Sequence, residues 1–301
     1  MALGMRPRVL LLMAALVFSI YGSTLRYGFL EHDDDQNIVK NPNLQSLSWD
    51  ELGAFWVRPH LGLYIPVTYS YWAGGVALSR IGQDPNTPQI PNPSFFHLGN
   101  VILHTANGYI LWLILCQLGA SELLALFGAL FFILHPLQVE AVSWITGAKD
   151  LLCAFLSLSA VHVYLRQLTA SEERTPLQIL VGYGAAVALA IFAILAKPAA
   201  VVVPVLMGFL AVIWAKRPWW RAFLTVAIPI GVGGYIAKLT SGIQAPEGPL
   251  PVVAWWQRPF VAGDAILFYA QKILFPFGYA VDYARRPDMV ANNLLLSASA
   301  P

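Results

Sequence analysis

Charged side chains are scarce in this chain of 301 residues, and their scarcity excludes an ordinary soluble domain. Only 11% of the residues are Asp, Glu, Lys or Arg, while 57% are hydrophobic. Soluble domains carry about 25% charged residues. The few lysines and arginines are scattered, without the basic stripe typical of nucleic-acid-binding proteins. We therefore expect the chain to reside in a lipid bilayer and to have no nucleic acid partner.

Cysteine is equally rare, which excludes a disulfide framework and a cysteine-rich metal site. Cys116 and Cys153 are the two cysteines, and each falls in an apolar run. No metal-ligand spacing of Cys and His accompanies them. We predict two packed free thiols.

Long uncharged runs such as "LLALFGALFFIL" and "ILVGYGAAVALAIFAILA" approach the roughly 20 residues that a helix needs to cross a bilayer. They predict an all-α polytopic membrane protein, a transmembrane helix bundle of about seven or eight spans. The segment "DAILFYAQKILF" either lies along the membrane surface or begins another span. The predicted spans are 9–28, 95–115, 121–135, 150–166, 177–196, 198–215 and 221–239.

The first span could be mistaken for a signal peptide, because "MRPRVLLLMAALVFS" has a basic start and an apolar core. The bulky "IYGSTLRYGFLEH" that follows offers no small-residue cleavage site. We therefore expect an uncleaved first transmembrane helix.

Lysines and arginines predict the orientation of the chain in the membrane. With a cytoplasmic N-terminus, the short inside connections and their flanks carry a denser set of basic residues than the outside loops. The outside then holds loops 29–94, 136–149 and 240–262. We expect a single transmembrane domain, 1–301. Its end, 287–301, is a candidate disordered tail. In loop 29–94, "YIPVTYSYWAGGVALSR" is expected to form an amphipathic helix with its tyrosines and tryptophan at the headgroups. The basic residues on the inside are Arg6, Arg8, Arg166, Arg174, Lys216, Arg217 and Arg221.

The densest negative charge lies just after the first span, in "FLEHDDDQNIVKNP". Asp33, Asp34 and Asp35 repel one another, so one carboxylate could have a raised pKa and act as a general base. Two of them could instead hold a divalent cation, which is the candidate cofactor, through Asp33 and Asp34. The alternative is a solvated acidic loop without a chemical role.

A second cluster lies in "HPLQVEAVSWITGAKDLL". Glu140 adds a carboxylate on the side of Asp33, and Lys149 precedes Asp150 at the start of a predicted span. Ionisable residues at the membrane are functional candidates. The alternative is that Lys149 and Asp150 only anchor the helix start, where an acidic residue is favoured.

Polar residues also line one face of the span "FFHLGNVILHTANGY", at spacings of three and four. His104 and Asn107 are expected to join neighbouring helices, as polar side chains in spans usually do. His97, nearer the outer end, could reach the site. Asn100 shares the same face.

Three further segments could bind a phosphate. Lys197 in "LAKPAAVVVP" and Arg258 in "WWQRPF" suit either a phosphate or snorkelling to lipid headgroups. A mixed patch in "KILFPFGYAVDYARRP" either clamps a phosphate or pairs internally. That patch consists of Asp282, Tyr283, Arg285 and Arg286.

In this order, the segments resemble the GT-C glycosyltransferases of the TMTC and bacterial membrane-TPR type. "FLEHDDDQNIVKNP" resembles the family's acidic first loop, "LYIPVTYSYW" its Tyr-x-Pro segment, and "FFHLGNVILHTANGYIL" its His-Asn-Leu-His helix. The most specific similarity is that of "HPLQVEAVSWITGAKDLLCAFL" to the family's His-Pro-x-x-x-Glu-x-Val segment. "LAKPAAVVVPVL" and "YAQKILFPFGYAVDYARRP" resemble later segments.

The resemblance implies an inverting transferase that moves a sugar from a polyprenyl-phosphate donor to a hydroxyl of a protein or glycan. The reaction would take place on the outer, periplasmic face of a membrane such as the bacterial inner membrane. It implies that Asp33 or Asp34 is the base and that Glu140 positions a substrate. Lys149 and Lys197 would hold the lipid phosphate. The remaining candidates for substrate binding are Asp35, His97, Arg258 and Asp282.

The chain departs from the family at its end, because no 34-residue helical repeat is present and it stops at "NNLLLSASAP". We therefore expect a form without the C-terminal spans and the TPR domain. A non-catalytic scaffold or accessory subunit of another membrane protein is the alternative. A transporter is less favoured, because its ionisable residues would lie at mid-membrane.

Overall fold

The computed structural model describes residues 5–31, 33–81, 83, 90–169, 174–241, 253–280, 283 and 285–292. In this part of the chain the regular structure is helical and no strand forms, which confirms the all-α prediction. The α-helices are α1 Met5–Tyr21, α2 Pro42–Ser46, α3 Trp49–Val57, α4 Pro66–Ser79, α5 Pro93–Gln117, α6 Glu122–Leu134, α7 Gln138–Ser143, α8 Ala148–Leu168, α9 Pro176–Ala196, α10 Val202–Phe209, α11 Trp219–Ser241, α12 Arg258–Leu274 and α13 Pro287–Asn292. Short 3₁₀ turns cover Gly22–Arg26, Ile145–Gly147 and Pro198–Val201, and π turns cover Asp35–Val39 and Leu210–Trp214.

Among the described residues, five helical segments are long and apolar enough to cross a membrane, which agrees with an integral membrane protein. Two further predicted spans form shorter apolar helices, Glu122–Leu134 and Pro198–Trp214. The five long segments are Arg6–Arg26, Pro93–Gln117, Ile145–Leu168, Pro176–Ala196 and Trp219–Leu239.

The chain divides into two compact units. The first contains Met1–Leu134 and Glu140–Gln244, and the second contains His135–Val139 and Ala245–Pro301. The first unit includes the five long helices and the segment with Asp33, Asp34 and Asp35, which we call the acidic turn. It therefore carries most of the predicted site.

Alanines allow α8 and α9 to pack closely in the first unit. Ala186, Ala190 and Ala193 are fully buried at spacings of four and three, which places them on one face of α9. Ala160 of α8 is also fully buried and lies in the same core cluster. Small residues let helix backbones approach in a membrane, where packing rather than water exclusion drives association.

The polar face of α5 joins it to its neighbours, which confirms the role predicted for His104 and Asn107. The Asn107 Nδ2 donates to the carbonyl of Leu151 in α8 at 3.0 Å. The His104 Nε2 lies 2.9 Å from the carbonyl of Ile133 in α6. α5 is therefore tied to two helices through side chains that could not be left without partners in lipid.

The segment between α1 and α5 has a small core of its own. Tyr69 and Trp72 of α4 are each 1% exposed, and Tyr69 stacks on Phe55 of α3 at a centroid distance of 4.3 Å. The expectation that these aromatic residues of α4 lie at the headgroups is therefore wrong for Tyr69 and Trp72. Their rings fill the core that holds α2, α3 and α4 together.

Lys272 is a buried charged residue of the second unit, 8% exposed. Its ammonium donates to the carbonyls of Phe277 and Gly278 at 2.8 and 2.9 Å. Arg285 pairs with Asp264 at 2.6 Å, so this arginine of the predicted mixed patch has an internal partner. The two cysteines of the first unit are free thiols, as predicted.

A glycine at the α5–α6 contact generates a prediction about packing. A Cβ at Gly108 would lie 2.3 Å from Cγ2 of Ile133, whereas a Cβ at Gly184 in α9 would meet nothing within 4 Å. We expect Gly108→Ala to destabilise the fold by about 1–3 kcal/mol through overpacking. Gly184→Ala should be neutral or slightly stabilising, because alanine favours the helix.

The measurement is thermal unfolding of both variants in one detergent, followed by tryptophan fluorescence. Equal melting temperatures for Gly108→Ala and the unmodified chain would contradict the described contact between α5 and α6.

Candidate functional site

Asp34 is the most deeply buried carboxylate of the acidic turn, with 0% exposure. Its Oδ2 accepts a hydrogen bond from the backbone N–H of Leu30 at 2.9 Å. Its Oδ1 accepts one from the backbone N–H of Thr146 at 3.1 Å. Both oxygens of this buried side chain therefore have hydrogen-bond partners, as buried polar groups usually do. Asp34 therefore joins two segments that lie 112 positions apart in the sequence.

The segment that meets Asp34 is a 3₁₀ turn, Ile145–Gly147, directly before α8. A Cβ at Gly147 would lie only 2.4 Å from the carbonyl oxygen of Ala141, so the turn needs a glycine there. Asn100 of α5 holds the same turn, because its Nδ2 donates to the carbonyl of Trp144 at 2.8 Å. The Thr146 N–H is therefore presented to Asp34 by a constrained backbone.

Asp33 differs from its neighbour, because its side chain is 45% exposed. Its Oδ2 lies 3.7 Å from Nζ of Lys149, which is too long for a hydrogen bond and within reach of an ion pair. Burial raises the pKa of the Tyr69 hydroxyl, and the negative charge of Asp33 raises it further. Asp33 is thus an accessible carboxylate beside one cation and one phenol that stays protonated.

Hydrogen bonds through Asn37 fix the acidic turn to α4. The Tyr69 hydroxyl donates to Oδ1 of Asn37 at 2.7 Å, and Nδ2 of Asn37 donates to the carbonyl of Asp33 at 2.9 Å. Asn37 follows Asp33 by one helical turn, which is why its amide can reach back to that carbonyl. The backbone of Asp33 is therefore fixed by the hydrogen bond from Asn37, while its carboxylate stays accessible.

A second ion pair continues from Lys149. Asp150, the next residue of α8, pairs with Lys197 at the end of α9. Thr68 of α4 donates to the carbonyl of Ala196 at 2.8 Å, which fixes this end of α9 against α4. Charges of alternating sign thus run from the acidic turn through the start of α8 to the end of α9. We call Asp33, Lys149, Asp150 and Lys197 the charge row.

His97 is buried, and no hydrogen bond or ion pair of the described residues joins it to this row. The side chain is 1% exposed, and the ring meets Tyr27 edge-on at a centroid distance of 6.2 Å. Neither ring nitrogen meets hydrogen-bond geometry among the described residues, although the backbone of Gly28 and Tyr27 lies near the ring. Asp34 is close enough to act electrostatically on this ring.

Among the described residues of the first unit, no hydrogen bond or ion pair joins Asp35 or Glu140 to the charge row. The Asp35 carboxylate pairs with Lys40 at 2.6 Å and raises the pKa of that lysine, chiefly through the hydrogen bond. The side chain of Glu140 is exposed on α7. Arg258 begins α12 in the second unit and is exposed. Asp282 lies outside the described residues.

The described carboxylates of the acidic turn do not fit a divalent cation. Both oxygens of Asp34 already accept backbone hydrogen bonds, and the Lys149 ammonium faces Asp33. Among the described residues, no group of three or more His, Cys, Asp or Glu side chains could hold a metal ion.

Comparison with known proteins agrees with the resemblance. The chain is 32% identical to mouse protein O-mannosyl-transferase TMTC1 over 162 residues, 49% of this chain and 16% of the relative. It is 27% identical to Drosophila melanogaster Tmtc1 over 172 residues, 53% of this chain and 18% of the relative. It is 25% identical to human TMTC3 over 166 residues, 52% of this chain and 16% of the relative. This chain is related in sequence to the TMTC proteins.

The relationship covers about half of this chain and less than one fifth of the relatives' length. No family model matches the chain, and no solved structure matches it. The names of the relatives thus describe much longer proteins.

Sequence reasoning missed three residues that build the site. Asn37 and Tyr69 hold the acidic turn, and Thr146 supplies a donor to Asp34. The spacing of Asn37, four residues after Asp33, was a signal that could have been used. Nothing in the sequence indicates that a backbone N–H at position 146 meets Asp34.

The unequal environments of the two aspartates predict unequal costs of neutralisation. In Asp34→Asn, the new amide can turn only one acceptor toward the two backbone N–H groups, so one buried donor loses its partner. We expect a loss of about 1–3 kcal/mol in the free energy of unfolding. Asp33→Asn should change it by less than about 0.5 kcal/mol, as at exposed sites.

Both variants are compared by thermal unfolding in detergent, with Asp50→Asn in the exposed first turn of α3 as the matched control. The described burial of Asp34 would be contradicted if Asp33→Asn destabilised the protein more than Asp34→Asn.

Proposed function

We propose that this chain is a glycosyltransferase that moves a sugar from a polyprenyl-phosphate donor to a hydroxyl acceptor at the outer face of a membrane. The TMTC relatives are named as O-mannosyl-transferases, which supports a sugar-transfer reaction in general. The observation that carries the proposal is the pairing of an accessible carboxylate, Asp33, with Lys149 at 3.7 Å.

Asp33 is the proposed general base. It is the accessible member of the acidic pair, whereas both oxygens of Asp34 are occupied by backbone donors. A hydroxyl group is a weak nucleophile, and a positioned carboxylate that accepts its proton accelerates such a reaction by typically 10²–10⁴-fold. Asn37 and Tyr69 keep the Asp33 backbone in place for this step.

The proposed step forms one bond and breaks one. The acceptor oxygen attacks the anomeric carbon while its proton passes to Asp33. The bond between that carbon and the phosphate oxygen breaks, and polyprenyl phosphate leaves with the electron pair. Attack opposite the leaving group inverts the anomeric carbon. The proton on Asp33 returns to water before the next cycle.

Lys149 and Lys197 are proposed to stabilise the phosphate as its negative charge develops. Each is only partly exposed, at 28% and 36%, and each now faces an aspartate. A phosphate can take the place of those carboxylates as the partner of the ammonium groups, since lysine binds phosphate as a point charge. Electrostatic groups fixed before the reaction are an effective form of such stabilisation.

The remaining candidates have secondary roles in this proposal. Asp34 and the buried His97 support the turn that carries Asp33. Glu140 is exposed on α7, where its carboxylate is accessible to a polar acceptor or sugar. Asp35, Arg258 and Asp282 stay candidates for substrate binding.

The test compares Asp33→Asn with Asp50→Asn for transfer of radiolabelled mannose from polyprenyl-phosphate mannose to membrane protein. Membranes from cells that overproduce each variant are the enzyme source. We expect Asp33→Asn to lower the rate by at least about 100-fold, because the acceptor loses its base. Asp50→Asn should match the unmodified chain.

A second readout separates chemistry from binding. Binding of polyprenyl-phosphate mannose to the purified protein should survive Asp33→Asn and weaken by about tenfold in Lys149→Gln, which loses one charge pair with the phosphate. The control is a strain in which deletion of the gene abolishes transfer. If Asp33→Asn restores full transfer in that strain, the catalytic proposal is wrong.

A non-catalytic accessory subunit is the second candidate. It is favoured by the pairing of all four members of the charge row, because such pairs can be structural on their own. This candidate predicts that Asp33→Asn and Lys149→Gln leave transfer unchanged.

A further inference from the structure

A cavity of about 430 Å³ lies at the other end of the helix bundle from Asp34. Its walls come from the end of α8, the start of α9, and α11 near its start. α8 begins beside Thr146 and runs for 21 residues to Leu168, which separates its ends by about 30 Å. We call this cavity the arginine pocket, after its three arginines, Arg174, Arg217 and Arg221.

The arginines of the pocket are held by neutral groups. Arg174 donates from Nη1 to Oε1 of Gln167 at 2.8 Å, and Arg217 donates from Nη2 to the carbonyl of Leu168 at 3.2 Å. Arg221 lies over the ring of Trp220, 5.0 Å from its centroid. These contacts orient the guanidinium groups without cancelling their charge.

No carboxylate balances this charge among the described residues. The lining of the pocket contains neither Asp nor Glu. None of the ion pairs found in the described part of the chain includes one of the three arginines. Three positive groups around one cavity repel each other, so an anion is the partner that this arrangement favours.

The floor of the pocket is well defined. The Tyr164 hydroxyl of α8 lies 3.0 Å from Oγ1 of Thr225 in α11, which joins the two helices at the lining of the pocket. A Cβ at Gly182 would lie 2.2 Å from the side chain of Gln167, so this glycine makes room for the residue that orients Arg174. The close packing of α9 at Gly182 therefore helps to position Arg174.

We propose that the arginine pocket binds the phosphate of a phosphate-bearing anion, either a lipid headgroup or a soluble phosphate. Guanidinium groups present a planar fork of donors that matches phosphate oxygens. Tyr164, Tyr183 and Thr225 offer hydroxyl groups in the same cavity, and aliphatic residues supply an apolar wall. Basic pockets between membrane helices bind anionic lipid headgroups by the same chemistry. The proposal is independent of the transferase reaction.

The test titrates the detergent-purified full chain with three probes and detects complexes by native mass spectrometry. The probes are dihexanoyl phosphatidic acid, glycerol 3-phosphate and dihexanoyl phosphatidylcholine. We expect phosphatidic acid to bind at least about tenfold tighter than the zwitterionic phosphatidylcholine. If glycerol 3-phosphate binds as tightly as phosphatidic acid, the source of the phosphate is soluble; if it binds more weakly, the source is a lipid.

Variants assign the binding to the pocket. Arg174→Gln and Arg217→Gln should each lower the affinity on the order of tenfold, because each removes a charged donor to phosphate. Arg217→Lys keeps the charge and should recover part of that loss. Arg8→Gln, at an exposed arginine of α1 outside the pocket, is the matched control and should bind as the unmodified chain does.

Two results would overturn the proposal. One is equal binding of phosphatidic acid and phosphatidylcholine, or binding that is unchanged by both glutamine variants. The other concerns Glu172 and Glu173, which lie outside the described residues near Arg174 in the sequence. If phosphate binds only after both are replaced with glutamine, the arginines already have an internal partner and the natural chain has no such site.

Discussion

The structure of the candidate site depends on one buried carboxylate, that of Asp34. It accepts backbone hydrogen bonds from Leu30 and Thr146, and so holds the segment after the first span against the turn before α8. A buried polar side chain requires such partners, since burying it without hydrogen bonds is costly. The position of Asp33 beside Lys149 follows from this contact, because Asp33 is the next residue and Lys149 is three residues beyond Thr146.

The charged side chains at the two ends of the first unit are arranged differently. At one end, charges of opposite sign alternate along Asp33, Lys149, Asp150 and Lys197. At the other end, three arginines share a cavity without a carboxylate among the described residues. Between them, α5 and α8 are joined by hydrogen bonds such as the one from the Asn107 side chain to the carbonyl of Leu151. We propose that the first end holds the sugar-transfer site and the second end holds the anion site.

Composition and run length predicted the helical membrane fold, because the bilayer demands long apolar helices with satisfied backbones. Spacing predicted the helix-joining role of His104 and Asn107, since the period of the α-helix places residues three apart on one face. The burial of Tyr69 and Trp72 could not be predicted, because it depends on how α2, α3 and α4 pack. The different environments of Asp33 and Asp34 depend on a backbone donor 112 positions away, which no local pattern reveals.

Carboxyl labelling tests the inequality of the two aspartates most directly. The folded protein in detergent is treated with a water-soluble carbodiimide and glycine ethyl ester, and modified residues are located by fragment mass spectrometry. The account predicts that Asp33 is labelled while Asp34 is protected until the protein is unfolded. Labelling of Asp34 in the folded protein to the same extent as Asp33 would contradict it.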